Sequence, residues 1–141
     1  MKYIILMLII GSAVSCRSTQ NANSIKSEGN EYEQLAKNKL GEDVTFISNE
    51  DNSFVLCIAE TKGTTKQPRN SIKYVVIKTS SNTISFENTV NGGSVKWYNQ
   101  KMIQVYLTPG IMRKDQTRDD FITLYNVETG KSYPKNQKET H

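Results

Sequence analysis

The stretches Phe54-Val-Leu-Cys-Ile-Ala59 and Tyr74-Val-Val-Ile77 decide the fold of this chain, because they are apolar at every position. A strand with one face in solvent alternates apolar and polar residues, whereas an unbroken apolar run of this length is typical of a strand covered on both faces. We therefore expect these two segments to form the middle of a β-sheet that is covered on both sides.

Further along the chain, apolar and polar residues alternate, which is the pattern of strands with one wet face. Ile84 and Phe86 alternate with Ser85 and Glu87, and the alternation returns in residues 95–97 and 103–107. These segments are expected to be the more exposed strands of an antiparallel sheet. The strands predicted in this way are residues 44–48, 53–60, 72–79, 83–90, 94–98, 102–108, 120–127 and a short 131–133.

Polar turns separate the predicted strands and indicate hairpins. Residues 49–52 and 80–82 each lie between two apolar segments. Asn91-Gly92-Gly93 predicts a third hairpin, since Asn-Gly readily adopts the positive φ angles of tight turns.

Residues 30–40 are the best helix in the sequence. Asn30 and Glu33 have the spacing of a capping box, and Gly41 follows as a stop signal. An apolar face is formed by Tyr32, Leu35, Ala36 and Leu40. The predicted fold is therefore α+β, with one N-terminal helix packed on an antiparallel β-meander of about five to seven strands. The alternative is a small β-sandwich or half-barrel in which the sheet folds over itself.

The first residues of the chain have the organisation of a signal peptide: a basic Lys2, an apolar run over residues 3–10, and small residues before Cys16. The run ends too early for a membrane-spanning helix. The segment Ser12-Ala13-Val14-Ser15-Cys16 resembles the lipobox of bacterial lipoproteins. That resemblance implies cleavage before Cys16, a diacylglycerol thioether on its sulfur and an N-acyl chain such as palmitate. The alternative is an ordinary secreted protein.

This resemblance also divides the chain and suggests its location. Residues 1–15 are the predicted lipoprotein signal peptide, 16–29 the lipidated cysteine and a polar tether, 30–134 a single α+β domain, and 135–141 a polar tail. Position 17 is Arg, without the acidic residues that direct some lipoproteins to the inner membrane or the cell surface. We therefore expect a lipid-anchored protein of the cell envelope, on the periplasmic face of an outer membrane.

Composition and residue types argue against nucleic-acid binding and catalysis. The net charge of +4 comes from scattered basic residues, without the concentrated basic face that nucleic acids require. Beyond Cys16 the only cysteine, Cys57, has apolar neighbours, and the single histidine is the terminal His141. Residues of these types supply no nucleophile with a base and no set of metal ligands. We expect no enzyme activity, no catalytic residues, no metal and no cofactor.

Aromatic and basic side chains are the better candidates for binding. Trp97, Tyr98, Tyr106 and Tyr125 lie on neighbouring predicted strands, where outward rings would form a platform for a glycan or a peptide. The alternative is that a second layer buries these rings. A charged loop between the last long strands supplies Arg113, Lys114 and Arg118.

Two functions are consistent with these features. The first is a non-enzymatic binding, accessory or inhibitor role towards an envelope protein or another envelope component. The second is a glycan- or small-molecule-binding domain that uses the outward aromatic residues. In both cases the membrane is contacted through the lipid on Cys16, and the further partner is a protein or a glycan.

Overall fold

The structure is a computed structural model that describes residues 30–136. It contains one α-helix, a short 3₁₀ turn and eight strands within that range, so the predicted α+β class is confirmed. The predicted signal peptide, Cys16, the tether and residues 137–141 of the tail lie outside the described residues. The elements are α1 (Asn30–Leu40), β1 (Thr45–Ser48), β2 (Phe54–Thr61), β3 (Ser71–Lys78), β4 (Thr83–Asn91), β5 (Gly93–Trp97), β6 (Met102–Leu107), the 3₁₀ turn (Arg118–Phe121), β7 (Ile122–Asn126) and β8 (Ser132–Pro134).

The strands form two four-stranded antiparallel sheets rather than one meander of five to seven strands. The first sheet has the order β1-β2-β3-β4 and the second β5-β6-β7-β8. In the first sheet, the expected hairpins at residues 49–52 and 80–82 are present. All eight segments predicted from the sequence form strands, but they are divided between two sheets, so the single meander of about five to seven strands is wrong.

The two sheets pack face to face around one apolar core. Alternate residues of β2 and β3 point towards the second sheet, and alternate residues of β5 and β6 point back. The structure therefore combines parts of both predicted architectures. It has the predicted helix on an antiparallel sheet, and it also has the second packed sheet of the alternative sandwich. The buried members of this core are Phe54, Leu56, Ile72, Tyr74, Val76, Val90, Val95, Ile103, Val105 and Val127.

Helix α1 covers the other face of the first sheet. Its Ala36 is fully buried against Val55, Cys57, Val75 and Ile77, with several partly buried side chains around them. The helix ends where expected, because Gly41 has φ 103° and its N–H donates to the carbonyl of Lys37 at 2.8 Å. Strands β2 and β3 are therefore covered on both faces, as their unbroken apolar runs predict.

The expected hairpin at Asn91-Gly92-Gly93 is wrong, because β4 and β5 belong to different sheets. Gly92 has φ 74°, and it bends the chain out of the first sheet into the second. A side chain on Gly93 would collide with the carbonyl oxygen of Tyr106 on β6. An Asn-Gly pair provides a positive φ angle equally well in a hairpin turn and in a bend that leads to another sheet. The local sequence therefore does not distinguish these two connections.

Polar contacts also connect the sheets. The Trp97 indole N–H donates to the carbonyl of Ile47 at 2.8 Å, and the Ser85 hydroxyl donates to that of Val127 at 2.7 Å. Asn49 is 5% exposed, and its amide group donates to the carbonyl of Gln100 at 2.8 Å. These bonds fix the position of the second sheet under the first.

Candidate functional site

The four aromatic candidates do not form one outward platform. Trp97 and Tyr125 pack against the core between the sheets, and the Tyr125 ring lies 5.1 Å from that of Phe86. Tyr98 is 49% exposed in the turn between β5 and β6. Tyr106 alternates with the core-facing Val105 and therefore points away from the first sheet. The structure thus places two rings inside and two outside.

The outer face of the second sheet follows from the strand register. Directly paired residues of an antiparallel sheet share a face. Gln104 pairs with Lys96 and Leu124, and Leu124 pairs with Tyr133. The outward residues, called here the outer face, are Ser94, Lys96, Met102, Gln104, Tyr106, Ile122, Leu124, Asn126 and Tyr133.

This outer face is more apolar than a solvated sheet face normally is. One-sided antiparallel sheets usually present polar residues to water. Here Met102 and Leu124 are half-buried, and Tyr133 is 45% exposed. Within residues 30–136 no third sheet lies on this face, although Ile122 and Gln104 are only 4% and 7% exposed and Arg118 of the 3₁₀ turn lies over Tyr106. Leu124 and Tyr133 are not among the residues predicted from the sequence, because the alternation of residues 122–126 does not say which of its two faces a second sheet covers.

Arg118 is the basic candidate that the fold brings to the outer face. Its guanidinium carbon lies 4.6 Å from the centre of the Tyr106 ring, a cation–π geometry worth about 0.5–1 kcal/mol at exposed sites. Because Arg118 begins the 3₁₀ turn, its direction depends on that turn. The fold thus brings Tyr106 and Arg118, two sequence-predicted binding residues from different elements, into contact.

The turn that carries Arg118 is held by carboxylates. The Thr117 N–H donates to Asp120 at 2.6 Å, and this bond lowers the pKa of the Asp120 carboxyl, helped by a bond from Asn136. Lys135 makes an ion pair with Asp119 at 2.9 Å. The pair Asp119 and Asp120 therefore holds the segment after β8 against the turn.

Arg113 and Lys114 lie apart from this contact, in the exposed loop between β6 and the 3₁₀ turn. The Arg113 N–H donates to the Gln116 side chain at 3.0 Å, so the backbone here forms a local turn. Among the residues described, neither basic side chain is in an ion pair.

The remaining chemically notable groups are buried. Burial raises the pKa of the Cys57 thiol from 9.0 to about 12, so this thiol stays protonated in the folded chain. The Tyr74 hydroxyl is buried in the core and makes no hydrogen bond of good geometry among the described residues; burial raises its pKa, and the neighbouring Asn88 side chain opposes this shift. In the described part of the chain, His, Cys, Asp and Glu residues nowhere gather in threes as a metal site requires.

Comparisons with known proteins give no family for this chain. No protein-family model matches it, no curated protein is significantly similar in sequence, and no solved structure is significantly similar in fold. The one helix within residues 30–136 has neither the length nor the apolar character of a membrane span.

Proposed function

We propose that this chain is a bacterial envelope lipoprotein, anchored through lipid on Cys16 at the periplasmic face of the outer membrane. Its folded part is a non-enzymatic binding module with an accessory or inhibitor role towards an envelope protein. The lipobox-like residues Ser12 to Cys16 support the anchor. Residues 16–29 would connect the lipid to the domain that begins with α1.

The apolar outer face of the second sheet is the observation that carries the binding function. Exposed apolar rows with a polar rim mark interaction sites more often than they mark solvated surface. Here the half-buried Met102 and Leu124 and the exposed Tyr133 supply the apolar row, while the exposed Lys96 supplies a polar group beside it. A flat surface of this composition suits a protein partner better than an enclosed ligand.

Tyr106 and Arg118 are the residues that we assign as the centre of this interface. Tyrosine and arginine are enriched among the residues that contribute most to protein–protein binding. Stacking holds both side chains in place before a partner arrives, which lowers the entropy cost of association.

Recovery of the crosslinked protein from intact cells tests this function. Wild type, Tyr106→Ala and Tyr98→Ala are compared, because Tyr98→Ala removes a ring from the β5–β6 turn instead of the outer face. We expect one partner in near-stoichiometric amount from wild type and Tyr98→Ala. Tyr106→Ala should lower its recovery about 30-fold, the effect of removing a residue worth about 2 kcal/mol.

Two outcomes would count against the proposal. A correctly anchored wild type that recovers no protein would favour the glycan or small-molecule alternative. Intact-mass analysis showing an unmodified Cys16 would remove the lipid anchor, and with it the reason for placing the partner in the envelope.

A further inference from the structure

The most exposed apolar side chains of the described residues lie in the loop after β6. Ile111 is 88% exposed and Met112 is 50% exposed, while Leu107 at the end of β6 is 49% exposed. Single exposed apolar side chains are ordinary on protein surfaces. Ile111 and Met112 are consecutive, lie at a loop tip and contribute nothing to the folded core. Their exposure therefore points to a contact with another surface.

The base of this loop is held against two other connections. The Thr108 N–H donates to the carbonyl of Gly92 at 2.9 Å, and the Gly92 N–H donates to that of Asn70 at 2.7 Å. The Arg69 guanidinium donates to the carbonyl of Thr108 at 3.2 Å. Residues 62–70, Gly92 and residues 108–117 therefore form one end of the sandwich, called here the loop end.

The loop end carries more positive than negative charge. Arg113 and Lys114 follow the apolar pair directly, with Asp115 as the acidic neighbour. The connection between β2 and β3 adds Lys62, Lys66 and Arg69, and every residue from 61 to 70 is exposed. Apolar side chains flanked by lysine and arginine are the combination with which proteins enter the interface of anionic membranes.

We propose that the loop end docks on the headgroup surface of an anionic bilayer, with Ile111 and Met112 entering the interface. This contact is additional to the protein-binding outer face and uses the proposed anchor on Cys16 only for proximity. At about 3.6 Å per residue, residues 16–29 span at most about 50 Å, so an anchored domain stays close to the membrane. The charge of the loop end is complementary to that of the lipid.

A fluorescent probe at the loop end tests this contact. The full chain carries Cys16→Ser and Gly110→Cys, and an environment-sensitive fluorophore is attached to the new thiol. Gly110 tolerates a side chain, since the nearest atom to its Cβ position is an Arg69 nitrogen at 3.5 Å. Cys57 remains unlabelled because it is buried and protonated. The matched control places the probe at Ser81, exposed at the opposite end of β3 and β4.

The vesicles contain phosphatidylethanolamine and phosphatidylglycerol with brominated acyl chains, which quench probes at the interface. We expect quenching at position 110 and none at position 81. Arg113→Gln together with Lys114→Gln should lower the docking equilibrium about 30-fold, since each basic residue contributes about fivefold near an anionic surface. Ile111→Ser with Met112→Ser should also abolish quenching.

Equal quenching at positions 110 and 81 would overturn the proposal, as would quenching that is unchanged in phosphatidylcholine vesicles. Residues 1–15 are identical in all variants, so differences between them come from the loop end. Cys16 is replaced in every sample, so none of these measurements depends on the proposed lipid anchor. A negative result here would therefore count against membrane docking of the loop end and not against the anchor.

Discussion

Alanine substitution of Trp97 and of Tyr106 should have different effects on stability, although both are aromatic residues on adjacent strands of the second sheet. Trp97 packs against the core between the sheets, and its indole N–H bonds to the carbonyl of Ile47. Tyr106 lies on the outer face under the Arg118 guanidinium. A difference between the two variants therefore reports which face of this sheet is covered.

The expected magnitudes follow from these surroundings. Trp97→Ala removes a large, partly buried ring that packs against the core and donates a hydrogen bond, which should cost about 3 kcal/mol. Tyr106→Ala removes a partly exposed ring and one cation–π contact, for about 1–2 kcal/mol. Trp97→Phe keeps a ring but loses the bond to Ile47, which should cost about 1 kcal/mol. In a domain of this size, 1 kcal/mol corresponds to a change in Tm of about 4–8 °C.

Thermal and urea unfolding, both followed by far-ultraviolet circular dichroism, give the Tm and the free energy of unfolding. Trp97 is the only tryptophan, so fluorescence would disappear with the substitution itself. We expect Trp97→Ala to lower the Tm by about 15 °C or more and Tyr106→Ala by about 10 °C or less. A loss of stability for Trp97→Ala no larger than that for Tyr106→Ala would refute the assignment of Trp97 to the core between the sheets.

Four further substitutions test the packing. Gly93→Ala should cost about 3 kcal/mol or prevent folding, because its Cβ would meet the carbonyl of Tyr106, whereas Gly110→Ala should be nearly neutral in thermal melts. Tyr74→Phe removes a buried hydroxyl that makes no hydrogen bond of good geometry among the described residues and should raise the free energy of unfolding by about 1 kcal/mol; an equal loss would reveal a hydrogen bond. Burial raises the pKa of the Cys57 thiol to about 12, so above pH 9 the unfolded state binds fewer protons and stability should fall towards pH 12. Cys57→Ala should flatten this slope in melts across that range; an unchanged slope would show that Cys57 is not its source.

Local sequence patterns predict the elements of this fold better than their arrangement. The apolar runs of β2 and β3 and the stop signal Gly41 after α1 are local signals, and the structure has both as expected. The change of sheet at Gly92 is different, because Asn-Gly specifies a backbone angle and not the strand that pairs next. The hydrogen bond from Asn49 to Gln100 joins two turns that are far apart in the chain, so no local sequence pattern predicts it.

The candidate site shows the same division. Alternation in β5, β6 and β7 indicates two faces for Trp97, Tyr106 and Tyr125, but it does not say which face a second sheet covers. Which face is covered depends on the bend at Gly92, where the chain leaves the first sheet for the second. The sequence alone therefore could not distinguish buried aromatic rings from surface rings. The stacking of Arg118 on Tyr106 likewise depends on the 3₁₀ turn that brings them together.

Site-specific photocrosslinking in intact cells tests the central claim most directly, since it asks whether the outer face touches a partner. A benzophenone amino acid is placed at Tyr133, 45% exposed on the outer face, and in a second variant at Gln34, exposed on α1 on the other side of the molecule. The account predicts a discrete protein adduct from position 133 and none from position 34. Adducts of the same protein from both positions, or from position 34 alone, would contradict it.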